Sequence, residues 1–186
     1  MAPVACLRGD LLLARLVGRV KRGADQLRLR RVSSPLGDLL LVTQAERLCA
    51  LDFDDCAARL RAYLSRRYVD PNPVPDPAPG INGDLIPAYF DGDLMALLGA
   101  EIAWRATPFQ RTVWQALRRV PAGSTLSYGA FAEWIGNPRA QRAVGHANGA
   151  NPYAIVVPCH RLIGANGKLT GYGGGLERKR GLLDHQ

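Results

Sequence analysis

The sequence predicts an α/β protein, more narrowly α+β, with a strand-rich N-terminal part followed by a compact helical part. Short apolar runs separated by turn residues occupy positions 28–53, a pattern typical of β-strands. After position 107 the apolar residues recur at helical spacing, which predicts several short helices. The 186 residues, of which 47% are hydrophobic, suffice for one or two small domains with a buried core.

The N-terminal part begins with strands and continues into a helix. Residues 39–42 and 48–53 are apolar runs, and residues 35–38 (Pro-Leu-Gly-Asp) supply a turn. Residues 55–68 carry apolar side chains at helical spacing, which predicts a helix. We expect Asp54 or Asp55 to cap it, because aspartate is a favoured N-cap residue.

The middle of the chain is rich in proline. Five prolines fall between positions 71 and 79, where a fixed φ and a missing N–H exclude a helix or a central strand. We expect a polyproline-like surface loop there, with a ligand for proline-binding modules as the less favoured alternative. Residues 85–98 then predict a broken helix, and residues 101–105 a further strand.

Three short helices open the C-terminal part. Thr107 and Pro108 form a helix start, and the predicted buried face after them consists of Phe109, Val113, Trp114 and Leu117. Ser127 is expected to cap a second helix over residues 128–135. A third helix begins at Asn137-Pro138 and runs to about residue 148. The second and third helices together form a helix-turn-helix pattern. Residues 176–184 close the chain as a basic amphipathic helix.

The third predicted helix has unusually small side chains, namely Ala140, Ala143, Gly145 and Ala147. Arg139 and Arg142 are its projecting charges. Glycine inside a helix costs up to about 1 kcal/mol relative to alanine, so Gly145 needs a reason. Close packing against a core helix is one, and close approach to a DNA groove is the other. Because few side chains here suit base edges, the second implies sequence-independent binding to backbone and minor groove.

Positive charge is concentrated in the second half of the chain. Residues 1–100 carry 13 basic and 12 acidic side chains, a net charge of +1. Residues 101–186 carry 11 basic and 4 acidic side chains, a net charge of +7. This asymmetry favours a polyanionic partner for the C-terminal part, and a generic solvated basic surface is the alternative.

The four cysteines, Cys6, Cys49, Cys56 and Cys159, are scattered and contain no CxxC pair. Their spacing suits neither a disulfide framework nor a structural zinc site, so we expect no metal and a reduced, intracellular protein. No apolar run is long enough to cross a bilayer, and the charges within residues 1–29 argue against a secretory signal. That segment could be a basic amphipathic helix, a transit peptide or a plain extension.

The strongest chemical signal is the run Asn-Pro-Tyr-Ala-Ile-Val-Val-Pro-Cys-His-Arg at residues 151–161. Residues 155–158 predict a short buried extended segment that ends at Pro158. Cys159 follows directly, with His160 and Arg161 beside it. A thiol is a useful nucleophile only as thiolate, and both neighbours would favour that anion. A buried structural cysteine is the alternative, but this local sequence favours a reactive one.

The run Val-Pro-Cys-His-Arg at residues 157–161 resembles the active-site signature of the O6-alkylguanine-DNA alkyltransferases, and the resemblance extends from about Val32 to the C-terminus. It implies a ribonuclease-H-like N-terminal domain over residues 30–105 and a winged-helix-like catalytic domain over residues 106–186, with residues 1–29 as an extension. It also implies a cofactor-free, single-turnover transfer of an alkyl group from O6-alkylguanine, or O4-alkylthymine, to Cys159. The partner would be alkylated double-stranded DNA, bound by a monomer in the cytoplasm, nucleoid or nucleus.

The resemblance also implies individual roles. His160 would accept the thiol proton through a water molecule, Tyr128 would donate to guanine N3, and Asn151 would brace the active-site turn. The family's histidine is oriented by a glutamate, whose position here is Gln186. A neutral amide can orient the ring but can also favour the wrong tautomer.

Two further sets of contacts follow from the resemblance. The glycines near the C-terminus let the backbone approach a flat ligand, with Tyr172 as one wall. The predicted substrate contacts are Tyr128, Arg142, Pro158, Leu162, Tyr172 and Gly173. The predicted DNA contacts are Ser127, Arg139, Arg142, Ala143 and Gly145, and Arg142 is the intercalating finger that fills the gap left by a flipped base.

Three other functions remain open at this point. A non-enzymatic sensor of alkylated bases would explain the same motifs, although such proteins lack the cysteine. A DNA-binding regulator could use the helix-turn-helix alone, but the base-reading chemistry is thin. A cysteine hydrolase is least favoured, because such enzymes rarely place their histidine next to the nucleophile in sequence.

Overall fold

A four-stranded sheet organises the N-terminal half of the computed structural model, which describes residues 26–76 and 81–186. Its spatial order is β3-β2-β1-β4, with β1 (Arg28–Val32), β2 (Leu39–Gln44), β3 (Arg47–Phe53) and β4 (Val74–Pro75). The first three strands are antiparallel neighbours, and β4 runs parallel to β1. The strands predicted over residues 28–53 are confirmed. Most of the predicted extension, with Cys6, lies outside the described residues.

The proline-rich segment forms a loop that contributes β4 at the edge of the sheet. An edge position tolerates Pro75 because only one side of the strand needs hydrogen bonds. Val74 N donates to Leu27 O over 2.9 Å, and Asp76 N donates to Leu29 O over 2.8 Å. The loop prediction therefore holds for residues 71–76, whereas residues 77–79 lie outside the described part.

The helices follow the predicted order. They are α1 (Ala57–Arg67), α2 (Ile81–Phe90), α3 (Pro108–Leu117), α4 (Tyr128–Trp134), α5 (Gln141–Gly149) and α6 (Leu176–Asp184). Two short strands, β5 (Leu126–Ser127) and β6 (Leu162–Ile163), pair in parallel and form a second sheet. In the described ranges, no helix combines the length and the apolar character that a bilayer span requires.

Local capping chemistry explains where the C-terminal helices begin. Thr107 and Gln110 form a capping box at the start of α3, with Pro108 in its first turn. The Ser127 hydroxyl accepts from Ala130 N over 3.1 Å and caps α4. A 3₁₀ turn at Pro138–Ala140 leads into α5, so the predicted helix-turn-helix is present as α4 and α5.

Both faces of the sheet are buried, because side chains of β2 alternate between two apolar clusters. Leu39 and Leu41 face the cluster that includes α3, α5 and residues 153–157. Leu40 and Val42 face the second cluster, which contains Leu60 and other side chains of α1. The first cluster therefore joins the two halves of the chain and fixes residues 151–161 against the sheet.

Two local predictions are wrong. Residues 101–105 form no strand. Within them, Ile102 makes a single bridge to Leu48, on the outer edge of β3. Residues 152–154 pair with Leu51 on the same edge of β3. Neither Asp54 nor Asp55 caps α1, whose N-cap position is Cys56. The two carboxylates instead pair with Arg31 at 2.8 Å and Arg178 at 2.9 Å, because long-range cations compete with the local cap.

Candidate active site

Residues 151–161 form a buried turn rather than the extended segment predicted for residues 155–158. Ile155 has a φ of 67°, a left-handed conformation that is costly for a β-branched side chain. Val157 N donates to Tyr153 O over 2.9 Å and closes the turn. The apolar run predicted correctly that these residues are buried, but it did not predict that the backbone turns. A short apolar run cannot distinguish a strand from a buried turn.

Two sets of hydrogen bonds hold this turn. On the sheet side, Leu51 N donates to Pro152 O over 2.8 Å, and Ala154 N donates to Leu51 O over 2.9 Å. Across the turn, the Asn151 amide donates to Val157 O over 2.9 Å and accepts from Tyr153 N over 3.0 Å. These are the contacts that a bracing side chain would make, and they stabilise the unfavourable φ of the turn.

Cys159 follows the turn and is only 7% exposed. Burial raises the pKa of its thiol, and the Asn151 hydrogen bond and the charges of Lys179 and Arg59 offset part of that rise. Cys159 O accepts from the Asn148 amide over 3.3 Å, which fixes the backbone at the thiol. The resting residue is therefore a neutral thiol that must lose its proton to react.

The cations that act on Cys159 are distant in sequence, contrary to the expectation from its neighbours. Lys179, on α6, is fully buried and donates to Leu162 O over 2.6 Å and to Thr170 O over 2.7 Å. Burial and the charges of Arg161 and Lys179 lower the pKa of His160 to about 3, so its ring is neutral at pH 7. The buried Arg161 guanidinium donates away from the thiol, to Val120 O.

His160 is held by Gln186, the residue at the family's glutamate position. Gln186 Nε2 lies 2.6 Å from His160 Nε2 and donates to Tyr89 OH over 2.8 Å. Arg161 Nε donates to Gln186 Oε1 over 2.8 Å. Because a guanidinium can only donate, the amide oxygen must face Arg161 and the NH2 group must face His160.

This orientation determines the tautomer of the imidazole. Nε2 of His160 accepts from Gln186, so the proton of the neutral ring resides on Nδ1. Nδ1 is buried and has no hydrogen-bond partner among residues 26–76 and 81–186. A protonated Nδ1 cannot accept the thiol proton, and the ring is therefore a poor base in this arrangement.

Two tyrosines, Tyr128 and Tyr172, lie near enough to the thiol to interact with it electrostatically. Tyr128 begins α4, and its hydroxyl accepts from the Asn148 amide over 3.4 Å. Burial raises the pKa of Tyr128, so its phenol stays protonated and able to donate. Burial also raises the pKa of Tyr172, whose hydroxyl has no partner in the described part of the chain. Both phenols therefore keep a proton that they can donate in a hydrogen bond.

The other predicted substrate residues are dispersed around Cys159. Leu162 is fully buried in β6, and Pro158 lines a cavity of about 860 Å³ on the side of Arg161 and Trp104. Gly173 leaves no room for a Cβ, because the Arg59 guanidinium lies against it. The structure thus brings Tyr128 and Tyr172 to the thiol, whereas Leu162 supports it from within the core.

Most predicted DNA contacts lie on one exposed face. Arg139 is exposed in the 3₁₀ turn before α5, and Arg142 and Ala143 are exposed in the first turn of α5. A Cβ built on Gly145 meets no atom within 4 Å, so close packing inside the protein does not explain this glycine. The close approach of an external ligand, which was the other reason considered, stays a prediction. Ser127 lies at the base of α4, where its hydroxyl is engaged as the cap.

Several residues at the site were missed in the sequence. Asn148 was detectable as a polar residue on the buried face of α5, beside Val144 and Ala147. Lys179 appeared to be one more solvated cation of a basic helix. Arg59 and Tyr89 come from the N-terminal half and gave no local signal. In the described part, no group of three or more His, Cys, Asp or Glu side chains could hold a metal ion.

Comparison with known proteins gives consistent similarities. Residues 108–186 match the family described as 6-O-methylguanine DNA methyltransferase, DNA binding domain. The chain is 45% identical over 159 residues to the methylated-DNA–protein-cysteine methyltransferase of Salmonella typhimurium, covering 84% of this chain and 93% of that protein. It is 46% identical over 158 residues to the methylated-DNA–protein-cysteine methyltransferase of Mycobacterium bovis, and the match covers 83% of this chain and 89% of that protein.

Solved structures are similar over the same length. OGT of Mycobacterium tuberculosis in complex with DNA aligns with a TM-score of 0.71 and 45% identity, covering 84% of this chain and 91% of that one. The O6-methylguanine-DNA methyltransferase of Pyrococcus kodakaraensis aligns with a TM-score of 0.66 and 27% identity, covering 86% and 98%. The similarity spans both the sheet and the helical half.

Proposed function

The chain belongs to the methylated-DNA–protein-cysteine methyltransferases, and on that premise we propose that Cys159 is the residue that takes up the alkyl group from O6-alkylguanine. The enzyme repairs DNA by direct transfer of an alkyl group to a cysteine of its own. The observation that carries the assignment to Cys159 is its buried position at the end of the turn braced by Asn151, close enough to the protonated phenols of Tyr128 and Tyr172 to interact with both. The presence of this thiol disfavours a non-enzymatic sensor.

The proposed reaction is one displacement. The Cys159 thiolate attacks the alkyl carbon, an S–C bond forms, and the C–O6 bond breaks with its electron pair remaining on the guanine. Tyr128 donates a hydrogen bond to guanine N3 as charge develops on the leaving base. No group at the site could readily cleave the resulting thioether, so each molecule reacts once and needs no cofactor.

Loss of the thiol proton is the step at which this chain departs from its family. In the resting arrangement Gln186 accepts from Arg161 and donates to His160, so His160 Nδ1 already holds a proton. The ring can act as a base only after the tautomer changes, which needs the amide to turn against Arg161. We therefore expect slower thiol activation than a carboxylate at position 186 would give.

DNA binding is proposed to centre on α5. The small residues Ala143, which is exposed, and Gly145, which is half-buried, would let this helix enter the minor groove, while Arg142 fills the gap that the flipped base leaves in the stack. Arg139 would contact the backbone, as would the Ser127 region. The protein is proposed to act as a monomer inside the cell, with residues 30–105 and 106–186 as its two domains.

Intact mass measurement tests the assignment. After incubation with duplex DNA containing O6-methylguanine, the protein should gain one methylene unit in mass, and peptide mapping should localise it to Cys159. Cys49 and Cys56 serve as internal controls, because both are described free thiols of the same chain. An adduct on either of them, with Cys159 unmodified, would overturn the assignment.

A further inference from the structure

A basic cleft separates α1 of the N-terminal half from α5 of the C-terminal half. It has a volume of about 760 Å³ and is lined by Arg59, Arg66 and Arg67 from α1 and by Arg142, Gly145 and His146 from α5. All the predicted DNA contacts lie in the C-terminal half, which carries a net charge of +7, whereas the net charge of residues 1–100 is only +1. The cleft shows that three arginines of the first half face the proposed DNA-binding helix.

The cleft carries uncompensated positive charge. Asp52 is buried and pairs with Arg59, with Nε and Oδ2 2.7 Å apart, so these two charges cancel. Arg66 donates to Ala62 O over 2.9 Å, and Arg67 donates to the Gln110 amide oxygen over 3.3 Å. No carboxylate in residues 26–76 or 81–186 forms an ion pair with Arg66, Arg67 or Arg142. An anionic ligand would find three free guanidinium charges there.

The shape of the cleft suits an elongated ligand. Positions 59, 63, 66 and 67 fall on one face of α1, and positions 142, 145, 146 and 149 fall on one face of α5. The two faces oppose each other along the cleft. On the α5 side no side chain narrows the cleft at Gly145 and Gly149. The space there is open, since a Cβ atom built on either glycine would meet nothing within 4 Å.

We propose that this cleft holds the sugar–phosphate backbone of one DNA strand, so that α1 completes the DNA-binding surface. The inference rests on the proposed function, in which α5 enters the minor groove. A helix in a groove has one phosphate backbone along each flank, and α1 lies along one flank of α5. Arg66 and Arg67 then contact successive phosphates, while Arg142 points into the stack.

Arg66→Gln is the informative variant, because the side chain of Arg66 is exposed and its Nε donates to a carbonyl of its own helix rather than to the rest of the fold. Arg61→Gln is the matched control: it makes the same charge change on the same helix, at an exposed position outside the cleft. Binding of both variants to an undamaged duplex is measured against salt concentration. We expect Arg66→Gln to bind about fivefold more weakly at 0.1 M salt, with a slope of log K against log salt reduced by about 1.

A second measurement locates the contact. Neutral methylphosphonates replace single phosphates of the duplex in turn. At one position the substitution should weaken binding of the wild type but not of Arg66→Gln, since the two changes remove the same contact. Equal effects of Arg61→Gln and Arg66→Gln, or a methylphosphonate profile unchanged by Arg66→Gln, would overturn the proposal. Failure of the proposed function is distinct, because wild-type protein would then leave Cys159 unalkylated on damaged duplex.

Discussion

The buried turn around Cys159 and the exposed face of α5 differ in how they hold their polar groups. At the turn, polar groups are withdrawn from water and held by specific partners: Asn151 spans the backbone, Gln186 holds His160, and Lys179 is fully enclosed. On α5, Arg142 stands free in solvent beside residues with almost no side chain. In the proposed function, alkyl transfer would depend on the fixed geometry of the turn, whereas DNA binding would depend on solvated charge and close approach.

The difference implies that substitutions in the two regions should affect different substrates. Changes at the buried turn should affect reaction with a free base and with duplex DNA alike, because both substrates meet the same thiol. Changes on the α5 face should affect the duplex alone, because only a base in a duplex must be flipped. The following predictions test that division, beginning with the largest effect.

Cys159→Ser should abolish alkyl transfer from both O6-benzylguanine and O6-methylguanine duplex. The hydroxyl is a far poorer nucleophile at neutral pH, while the shape of the site is retained. Duplex binding should remain close to that of the wild type in a salt titration. Transfer retained by the variant would contradict the assignment of the nucleophile.

Arg142→Ala should slow repair in duplex about a hundredfold, since a few kcal/mol of support for the flipped state would be lost. Its reaction with free O6-benzylguanine should be nearly unchanged. Single-turnover rates on the two substrates measure the contrast, and Arg139→Ala is a neighbouring control that should chiefly weaken binding. Equal losses on both substrates would show that Arg142 does not act in flipping.

Acid should lower the free energy of unfolding, because His160 is buried as a neutral ring. Its pKa is about 3 in the folded protein and about 6.5 when unfolded, so the unfolded chain binds the proton more readily between these values. The contribution of the neutral ring is complete above pH 6.5 and is lost as pH falls toward 3. Urea unfolding should show about 2 kcal/mol less stability at pH 5 than at pH 7. His160→Gln should lack that share of the pH dependence.

Gln186→Glu should raise the alkylation rate about tenfold on both substrates and move the apparent thiol pKa downward. A carboxylate can accept from Arg161, Tyr89 and His160 at once, which would place the ring proton on Nε2 and free Nδ1 to act as a base. A pH–rate profile on O6-benzylguanine compares the two proteins, with Gln186→Met as an uncharged control. Superimposable profiles for wild type and Gln186→Glu would mean that position 186 is not coupled to the thiol.

Sequence reasoning succeeded where a structural cause is local. The capping box of Thr107 and the cap at Ser127 lie within three residues of the groups that they satisfy, so the helix starts were predictable. The short apolar run at residues 39–42, next to the turn residues 35–38, likewise predicted the strand β2. The helix-turn-helix followed from these starts and from the turn between them.

The chemistry of the thiol was less predictable because its partners are distant along the chain. Proximity in sequence suggested that His160 and Arg161 activate Cys159, but burial keeps the first neutral and the second points toward Val120 and Gln186. Lys179 exerts its charge from α6. The direction of the turn was also missed, because it is determined by pairing with Leu51, about a hundred residues earlier in the sequence.

That pairing has a consequence for solubility. β3 is the outermost strand on its side of the sheet, and its free edge is covered by two short segments, at Ile102 and at Tyr153. Uncovered strand edges are templates for association with other chains. The segment that leads to the Cys159 thiol therefore also shields the sheet edge from association with other chains. Variants that loosen this turn to admit bulkier alkyl groups should lose colloidal stability, whatever they gain in substrate range.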